Sequence, residues 1–275
     1  LGCLISGMVY ADGSSPQPVK PYWQDIQVVA VNKEKPRSSF MSYADRETAL
    51  TSRFEKSPYY SLLNGTWKFF FVDSYKDLPQ NITDPSVNTS SWDDITVPGN
   101  WEVQVHGVAI YTNHGYEFKP RNPQPPLLPE ANPVGVYRRD IEIRASWDNR
   151  DIYLHTGGPH SAPYLYLNGK DVAYSEDSKT PAEFLINKYL QPGKNVLTLK
   201  IFRWSTGSYL ECQDFWRMSG IERDVFLWSQ PKANIQDFRV VSTLDDTYTN
   251  GIFNWYSECE FLYPADSHLN ISALQ

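Results

Sequence analysis

Cysteine is scarce in this sequence, because Cys3, Cys212 and Cys259 are spread singly over 275 residues. An odd, sparse set does not predict a disulfide framework, and without a Cys-x-x-Cys pair no zinc site is indicated. The five histidines also lack the spacing of metal ligands. We therefore expect Cys212 and Cys259 to be reduced thiols and the histidines to be structural.

Basic clusters, long apolar runs and helical periodicity are missing as well. The chain has 25 Lys and Arg against 32 Asp and Glu, and it contains no basic stripe of the kind that neutralises phosphates. No stretch approaches the ~18 consecutive apolar residues of a membrane span, and none shows a sustained 3.6-residue period. We expect no nucleic-acid partner, no membrane span, and no barrel or doubly wound enzyme domain within these residues.

Aromatic residues, in contrast, are abundant, at 15% of the chain with 9 Trp and 18 Tyr. Strand-rich folds use aromatic rings to fill half-buried sheet faces. Carbohydrate sites use the same rings as flat surfaces for sugars. Composition alone leaves both interpretations open.

Short runs of β-forming residues separated by Gly, Pro and Asn turns occupy the middle of the chain. One run, Gly65–Val72, is bounded by turn residues, and another ends in the Asn168-Gly169 turn signal. Further strands are predicted at 136–143, 151–155, 162–169, 191–202 and 224–228. This pattern predicts an all-β fold over residues 61–230, either a sandwich or a jelly roll.

The segments on either side of this sandwich have their own patterns. Residues 1–11 are apolar and end in Val9-Tyr10-Ala11, which is typical of the tail of a secretory signal; a short buried strand is the alternative. The signal interpretation predicts export to the periplasm or the exterior of a bacterium. Residues 12–60 are predicted to be an extended arm with one helical turn around 43–54. Residues 231–275 predict a second β domain, truncated after two strands at 235–243 and 251–262.

A proline-rich loop covers residues 112–133, with Pro120, Pro123, Pro125, Pro126, Pro129 and Pro133. Proline restricts the backbone and lowers its entropy in the unfolded chain. Long loops without regular structure are commonly functional. This loop is either part of a site or a rigid connection between strands.

Several stretches together resemble the amino-terminal region of glycoside hydrolase family 2. They are Leu-Asn-Gly-Thr-Trp at 63–67, Val-Pro-Gly-Asn-Trp-Glu at 97–102, Tyr-Thr-Asn at 111–113, Asn-Pro-Val-Gly-Val-Tyr at 132–137, and Gln-Asp-Phe-Trp-Arg-Met-Ser-Gly-Ile at 213–221. The first two occur across the family, including its β-mannosidases and β-glucuronidases. The third and the last are similar to those of its large bacterial β-galactosidases.

The resemblance implies a jelly-roll β-sandwich at 61–230 and the start of an immunoglobulin-like β-sandwich at 231–275. It also implies that a TIM barrel elsewhere in the complete, oligomeric protein carries the acid/base and nucleophile glutamates of a retaining hydrolase. No catalytic residue is then expected here, and Glu211 and Asp214 should not be paired as one, so the chain alone should be inactive. The implied function is hydrolysis of terminal β-D-galactosyl residues, to which this chain adds substrate contacts. The alternatives are another family 2 exo-glycosidase, such as a β-glucuronidase or β-mannosidase, and a non-catalytic carbohydrate-binding jelly roll.

Two positions match family residues that contact galactose. Asn113 corresponds to the Asn that reaches into the active site, and Asp214 to the Asp that binds galactose and sodium (Na+). In the structural alternative, Asn113 caps a turn and Asp214 pairs with Arg217 or Arg223. We expect Asn113 and Asp214 to lie together at one end of the sandwich and to point outward.

A peripheral magnesium (Mg2+) site of the family also draws on this region. Asp25 and Glu176 match two of its ligand positions, and each offers an oxygen. The third position, an Asp in well-characterised members, is Thr206 here. The loss of one carboxylate predicts a weakened site.

Overall fold

The computed structural model describes residues 21–118 and 122–260. The predicted signal remnant at 1–11 and the end of the predicted second domain lie outside these residues. The strands are β1 (Ala30–Val31), β2 (Tyr60–Leu62), β3 (Gly65–Val72), β4 (Asp93–Val97), β5 (Gly99–Asn100), β6 (Ile110–Thr112), β7 (Val134–Glu142), β8 (Arg150–Gly157), β9 (Pro159–His160), β10 (Ala162–Leu167), β11 (Lys170–Ser175), β12 (Pro181–Leu185), β13 (Lys194–Phe202), β14 (Phe215–Arg217), β15 (Gly220–Ile221), β16 (Val225–Pro231), β17 (Asn234–Leu244) and β18 (Gly251–Glu260).

Helical structure is confined to short turns in the described residues. The α-helix α1 (Arg46–Leu50) is the helical turn that the sequence predicts around 43–54, and Asp45 caps it by accepting a hydrogen bond from the Thr48 N–H. The 3-10 turns are Tyr22–Gln24, Phe54–Lys56, Tyr75–Asp77, Glu102–Gln104, Ala145–Trp147, Asn187–Tyr189 and Thr206–Tyr209. No helix in the described ranges is long and apolar enough to cross a membrane.

Two antiparallel sheets form the body of the molecule. The larger has the order β1-β11-β10-β13-β7-β3-β4 and the smaller the order β12-β8-β16-β2. Apolar side chains of both sheets share one core, with Phe69 and Tyr137 from the larger sheet and Leu154 and Leu227 from the smaller. Burial of such side chains contributes about 1.5–3 kcal/mol each. The all-β sandwich prediction is therefore confirmed.

The arm before the sandwich covers the outer face of the larger sheet. Trp23 is buried there against Phe202, with ring centroids 5.0 Å apart, and its backbone N–H donates to the Tyr164 hydroxyl at 3.2 Å. Strand β1 extends the same sheet by pairing with β11. Apolar side chains therefore cover both faces of the larger sheet, and aromatic rings contribute to both.

Beyond β16, the strands β17 and β18 pair only with each other among the described residues. Both faces of this hairpin expose large apolar side chains, among them Phe253 and Tyr256. The arm contacts it, because the Ser38 hydroxyl donates to the Phe238 carbonyl at 2.6 Å. Two strands alone give marginal stability, so the hairpin depends on its neighbours.

Two of the sequence motifs meet within the core. Trp101, from the Val-Pro-Gly-Asn-Trp motif, is fully buried, and its indole N–H donates to the Tyr137 hydroxyl at 2.5 Å. Gly135 lies beneath that ring, since a Cβ there would come within 2.5 Å of Trp101 and 2.7 Å of Phe69. Close packing against the rings of Trp101 and Phe69 leaves no room for a Cβ at position 135, which accounts for the glycine there.

Candidate functional site

The short strands β6 and β14 form a two-stranded ribbon in which Tyr111 pairs with Trp216 and Thr112 with Phe215. Side chains alternate along a strand, so residues 111 and 113 share one face with residues 214 and 216. That face is exposed: Tyr111 is 52% exposed and Trp216 is 55% exposed. The opposite face is turned inward, with Thr112 and Arg217 buried.

Asn113 and Asp214, the two predicted sugar-contacting residues, lie next to each other on this outer face. Asn113 follows the last residue of β6, and Asp214 precedes the first residue of β14. The antiparallel register of the two strands places these two residues opposite each other. Both are exposed to solvent. The structure therefore brings together two residues about a hundred positions apart, with both side chains accessible to a ligand.

The local contacts of Asp214 involve an aromatic hydroxyl. The Tyr111 hydroxyl donates to Asp214 Oδ1 at 2.7 Å, diagonally across the ribbon, and this hydrogen bond raises the pKa of Tyr111. Within the described ranges, no ion pair joins Asp214 to Arg217 or Arg223. Those guanidinium groups instead donate to the carbonyls of Gln213 and Lys179. One carboxylate oxygen is thus oriented by Tyr111.

Asn113 has a short-range contact of its own. Its Oδ1 lies 2.8 Å from Nδ1 of His114, while the adjacent turn is closed by Thr112, whose hydroxyl donates to the His114 carbonyl at 2.7 Å. The turn is thus capped by Thr112, and the amide group of Asn113 remains at the surface.

Buried polar contacts hold the ribbon from behind. Glu102 lies 3.5 Å from Arg203 in a buried ion pair, and both of its carboxylate oxygens accept from the Ser219 N–H at 3.0 Å. Arg203 in turn donates to the Arg217 carbonyl at 3.3 Å. These contacts connect β14 to the 3-10 turn after β5 and so fix the backbone that positions Asp214.

The proline-rich loop after β6 is fastened at its far end. Asn132 donates to the Trp204 carbonyl at 2.8 Å and accepts from the Trp204 N–H at 3.0 Å. In the described part of the loop, Tyr116 and Phe118 pack against Tyr209, with ring centroids 4.8 and 5.2 Å apart. The loop is therefore packed on the segment that leads to β14, which favours its interpretation as part of a site.

Glu176, one of the two predicted magnesium ligands, is only 5% exposed and accepts hydrogen bonds from three protein donors. They are the Tyr174 hydroxyl at 2.5 Å, the Thr206 hydroxyl at 2.8 Å and the Gly207 N–H at 2.9 Å. Burial raises the pKa of this carboxyl, which those donors oppose. Thr206, the residue in place of a family Asp, is itself one of the donors.

The other predicted magnesium ligand, Asp25, accepts from the Gln27 N–H at 3.0 Å. Across the described ranges, no group of three acidic, His or Cys side chains is arranged to hold a metal ion. Mg2+ requires several oxygen ligands at close to ideal geometry. The residues present do not fit that requirement.

Tyr111 and Trp216 are site residues that the sequence argument missed. Their rings lie 5.6 Å apart on the face that carries Asn113 and Asp214. The available signal is the two-residue spacing within each segment, 111 to 113 and 214 to 216, because side chains two apart on a strand share one face. It could be used only if both segments were known to be strands, and each is three residues long.

Comparison with known proteins identifies the family of the chain. Residues 60–231 match the family model described as glycosyl hydrolases family 2, sugar binding domain. The chain is 41% identical to a β-galactosidase of Priestia megaterium over 84% of its own length and 23% of that protein. It is 38% identical to a β-galactosidase of Psychromonas ingrahamii, over 84% and 22%. The chain therefore spans less than a quarter of the length of these relatives.

Solved structures share the fold at lower identity. A β-glucuronidase from an uncultured Clostridium aligns with a TM-score of 0.53 at 22% identity, over 73% of this chain and 33% of that one. A β-glycosidase from Bacteroides vulgatus aligns with a TM-score of 0.52 at 21% identity, over 74% and 24%. These likenesses show the sandwich fold alone. The family-model match covers more than half of the sequence, and it shows that the chain belongs to glycoside hydrolase family 2.

Proposed function

We propose that this chain is the amino-terminal, sugar-contacting part of a β-galactosidase that hydrolyses terminal β-D-galactosyl residues with retention. The observation that carries the proposal is the outer face of the β6–β14 ribbon, where Asn113 and Asp214 lie side by side within two intact motifs. Relatives named β-galactosidase over this region support the choice of sugar.

The groups on this face suit a pyranose. An amide such as that of Asn113 both donates to and accepts from hydroxyls, and the Asp214 carboxylate accepts strongly from them. The faces of the Tyr111 and Trp216 rings can pack against sugar C–H groups. Of residues 111, 113, 214 and 216 on this face, Asp214 alone is a carboxylate, whereas retaining hydrolysis requires two. We therefore assign binding and orientation to the ribbon and the two catalytic carboxylates to the rest of the complete protein.

The two metal ions receive different proposals. Na+ would take one oxygen from Asp214, with its other ligands from outside the ribbon, and would supply a positive charge that orients a sugar hydroxyl. The exposed carboxylate of Asp214 fits that role. We propose that the Mg2+ site is not formed, because Tyr174, Thr206 and Gly207 already engage both carboxylate oxygens of Glu176.

The test uses the protein encoded by the complete gene, assayed on aryl β-galactoside, β-glucuronide and β-mannoside. The β-galactoside should be hydrolysed with by far the highest kcat/KM, and residues 1–275 expressed alone should give no turnover above a blank purified in parallel. Preference for the glucuronide or mannoside would assign a different family 2 activity. Binding of galactose without hydrolysis of any substrate would instead show a carbohydrate-binding module.

A further inference from the structure

A small cavity lies behind the ribbon, between the two segments that carry Asn113 and Asp214. Its volume is about 10 Å³, the room of a single water molecule. The lining comes from the loop after β6, from β9, from the segment before β14 and from β14 itself: Gly115, Glu117, His160, Ser208, Glu211, Cys212 and Arg217.

Three of the lining residues carry a buried polar atom without a hydrogen-bond partner in the described ranges. The atoms are Oε2 of Glu117, Oε2 of Glu211 and Nδ1 of His160. His160 is only 5% exposed. An unsatisfied buried polar group costs about 1–3 kcal/mol, and buried polar groups in native proteins are nearly always paired. Three such atoms around one cavity indicate a guest that forms hydrogen bonds.

The charges around the cavity decide what kind of guest fits. Burial raises the pKa of Glu117 to about 7, an effect opposed by the Arg203 guanidinium, by the nearby indole N–H of Trp204 and by the Arg217 guanidinium. The Trp204 N–H does not reach hydrogen-bonding geometry with this carboxyl. Burial lowers the pKa of His160 to about 3, so its ring is neutral at neutral pH and carries one N–H. With Glu102, which pairs with Arg203, three carboxyl groups lie near two arginines. Because the pKa of Glu117 is raised to about 7, a proton on that carboxyl can complete the charge balance without a cation.

We propose that this cavity binds one structural water molecule, which donates to Glu117 and Glu211 and accepts from the Nδ1–H of His160. Three hydrogen bonds are the usual number for a buried water, and they satisfy all three orphan atoms. Glu211 is well placed to serve, because its other oxygen already accepts from the Ser178 N–H at 2.8 Å. The water ties the loop after β6 to the segment before β14, and it does so whatever sugar the outer face binds.

The first test is a high-resolution crystal structure of the complete protein, with crystals grown once in sodium and once in rubidium. We expect one electron-density peak within hydrogen-bonding distance of the three atoms, without anomalous signal in the rubidium crystals. An anomalous peak would mean that the site takes a monovalent cation, and it would overturn the proposal. So would an empty cavity, or a direct contact between the carboxyl groups of Glu117 and Glu211.

The second test compares two substitutions on the same loop by thermal unfolding of the complete protein. Glu117→Leu removes one acceptor of the water and leaves the other two atoms without a partner, so Tm should fall by roughly 2–8 °C. Glu130→Leu removes only an exposed carboxylate that pairs with Lys76 at 2.9 Å, and Tm should hardly change. Equal shifts in the two variants would show that no water links these segments.

If Glu117→Leu does not fold, Glu117→Gln provides the decision, because its amide can still bond to water. The density peak should persist in crystals of that variant. Its loss, with a wild-type Tm, would show that the loop is held without the water. These readouts do not involve hydrolysis, so they separate a failure of this proposal from a failure of the proposed β-galactosidase function.

Discussion

The surroundings of Glu176 and of Asp214 differ in how much hydrogen-bonding capacity the protein itself uses. Glu176 is buried and accepts from Tyr174, Thr206 and Gly207, whereas Asp214 is exposed and accepts from Tyr111 alone among the described residues. The sequence resemblance predicts a metal or sugar ligand at both positions. A match to a ligand position therefore does not make a carboxylate available, because protein donors can already engage both of its oxygens.

The largest effect is expected for Glu176→Ala. The substitution leaves the Tyr174 and Thr206 hydroxyls and the Gly207 N–H without their acceptor in a buried place, at about 1–3 kcal/mol for each unsatisfied group. We expect a loss of about 2–5 kcal/mol of stability, measured by denaturant unfolding of the complete protein, with kcat/KM per folded molecule unchanged. Glu130→Ala, which removes an exposed carboxylate, is the control. Unchanged stability would break the comparison.

Asp214→Asn should have the next largest effect, and it should act on catalysis. The change keeps the shape but removes the charge from a group that would accept from a sugar hydroxyl. Charge-assisted hydrogen bonds contribute about 1.5–3 kcal/mol, so kcat/KM should fall roughly 10- to 150-fold, and sodium dependence should weaken.

The fold should tolerate that substitution, because Asp214 is exposed. The matched control is Asp94→Asn. Asp94, on β4, forms an exposed ion pair with Lys68, and its substitution should leave both kcat/KM and Tm unchanged. A lower Tm with unaltered kcat/KM for Asp214→Asn would assign Asp214 to the fold, like Glu176.

Tyr111→Phe tests whether the protein orients Asp214, because it removes the one described hydrogen bond to that carboxylate. The carboxylate keeps its charge but loses its orientation, so we expect kcat/KM to fall about 3- to 10-fold, the equivalent of roughly 0.5–1.5 kcal/mol. The sodium concentration for half-maximal rate should rise. Tyr248→Phe, in the exposed hairpin loop, should behave as wild type. An unchanged sodium response would mean that Tyr111 does not position Asp214.

The smallest effect is expected from removal of Mg2+. Glu176 already accepts hydrogen bonds from protein donors, and Thr206 stands where the family has a carboxylate. Chelation with EDTA in sodium buffer should therefore change kcat/KM by less than about 2-fold. The assay is repeated after adding back magnesium chloride. A large loss that magnesium restores would show that Asp25 and Glu176 do bind the ion in the complete protein.

Strand prediction succeeded where the side-chain pattern was long. Residues 65–72 form β3 as predicted, and the Asn168-Gly169 signal is the turn between β10 and β11, with positive φ at both residues. Strands such as β4 and β12 went unrecognised. Each has five residues, too few for alternation to stand out from chance, and tertiary pairing stabilises them.

At the candidate site, the resemblance selected Asn113 and Asp214, whereas Tyr111, Trp216 and the buried set around His160 could not be selected. A lone histidine in a sequence is most often structural, and nothing local marks His160 as different. Its missing partner becomes visible only when Glu117 and Glu211 are placed beside it. The role of each site residue in binding stays a prediction until the substitutions above are measured.

By itself, the sequence determined the all-β class, most of the longer strands and the family to which the motifs belong, because alternation, turn residues and motif order are local properties. Which side chains share a face, and which carboxylates already accept hydrogen bonds from the protein, depends on the tertiary structure. The bond from Tyr111 to Asp214 joins residues 103 positions apart, and the bond from Thr206 to Glu176 joins residues 30 apart. Such contacts depend on strand register and burial, and these are set by how the whole chain packs.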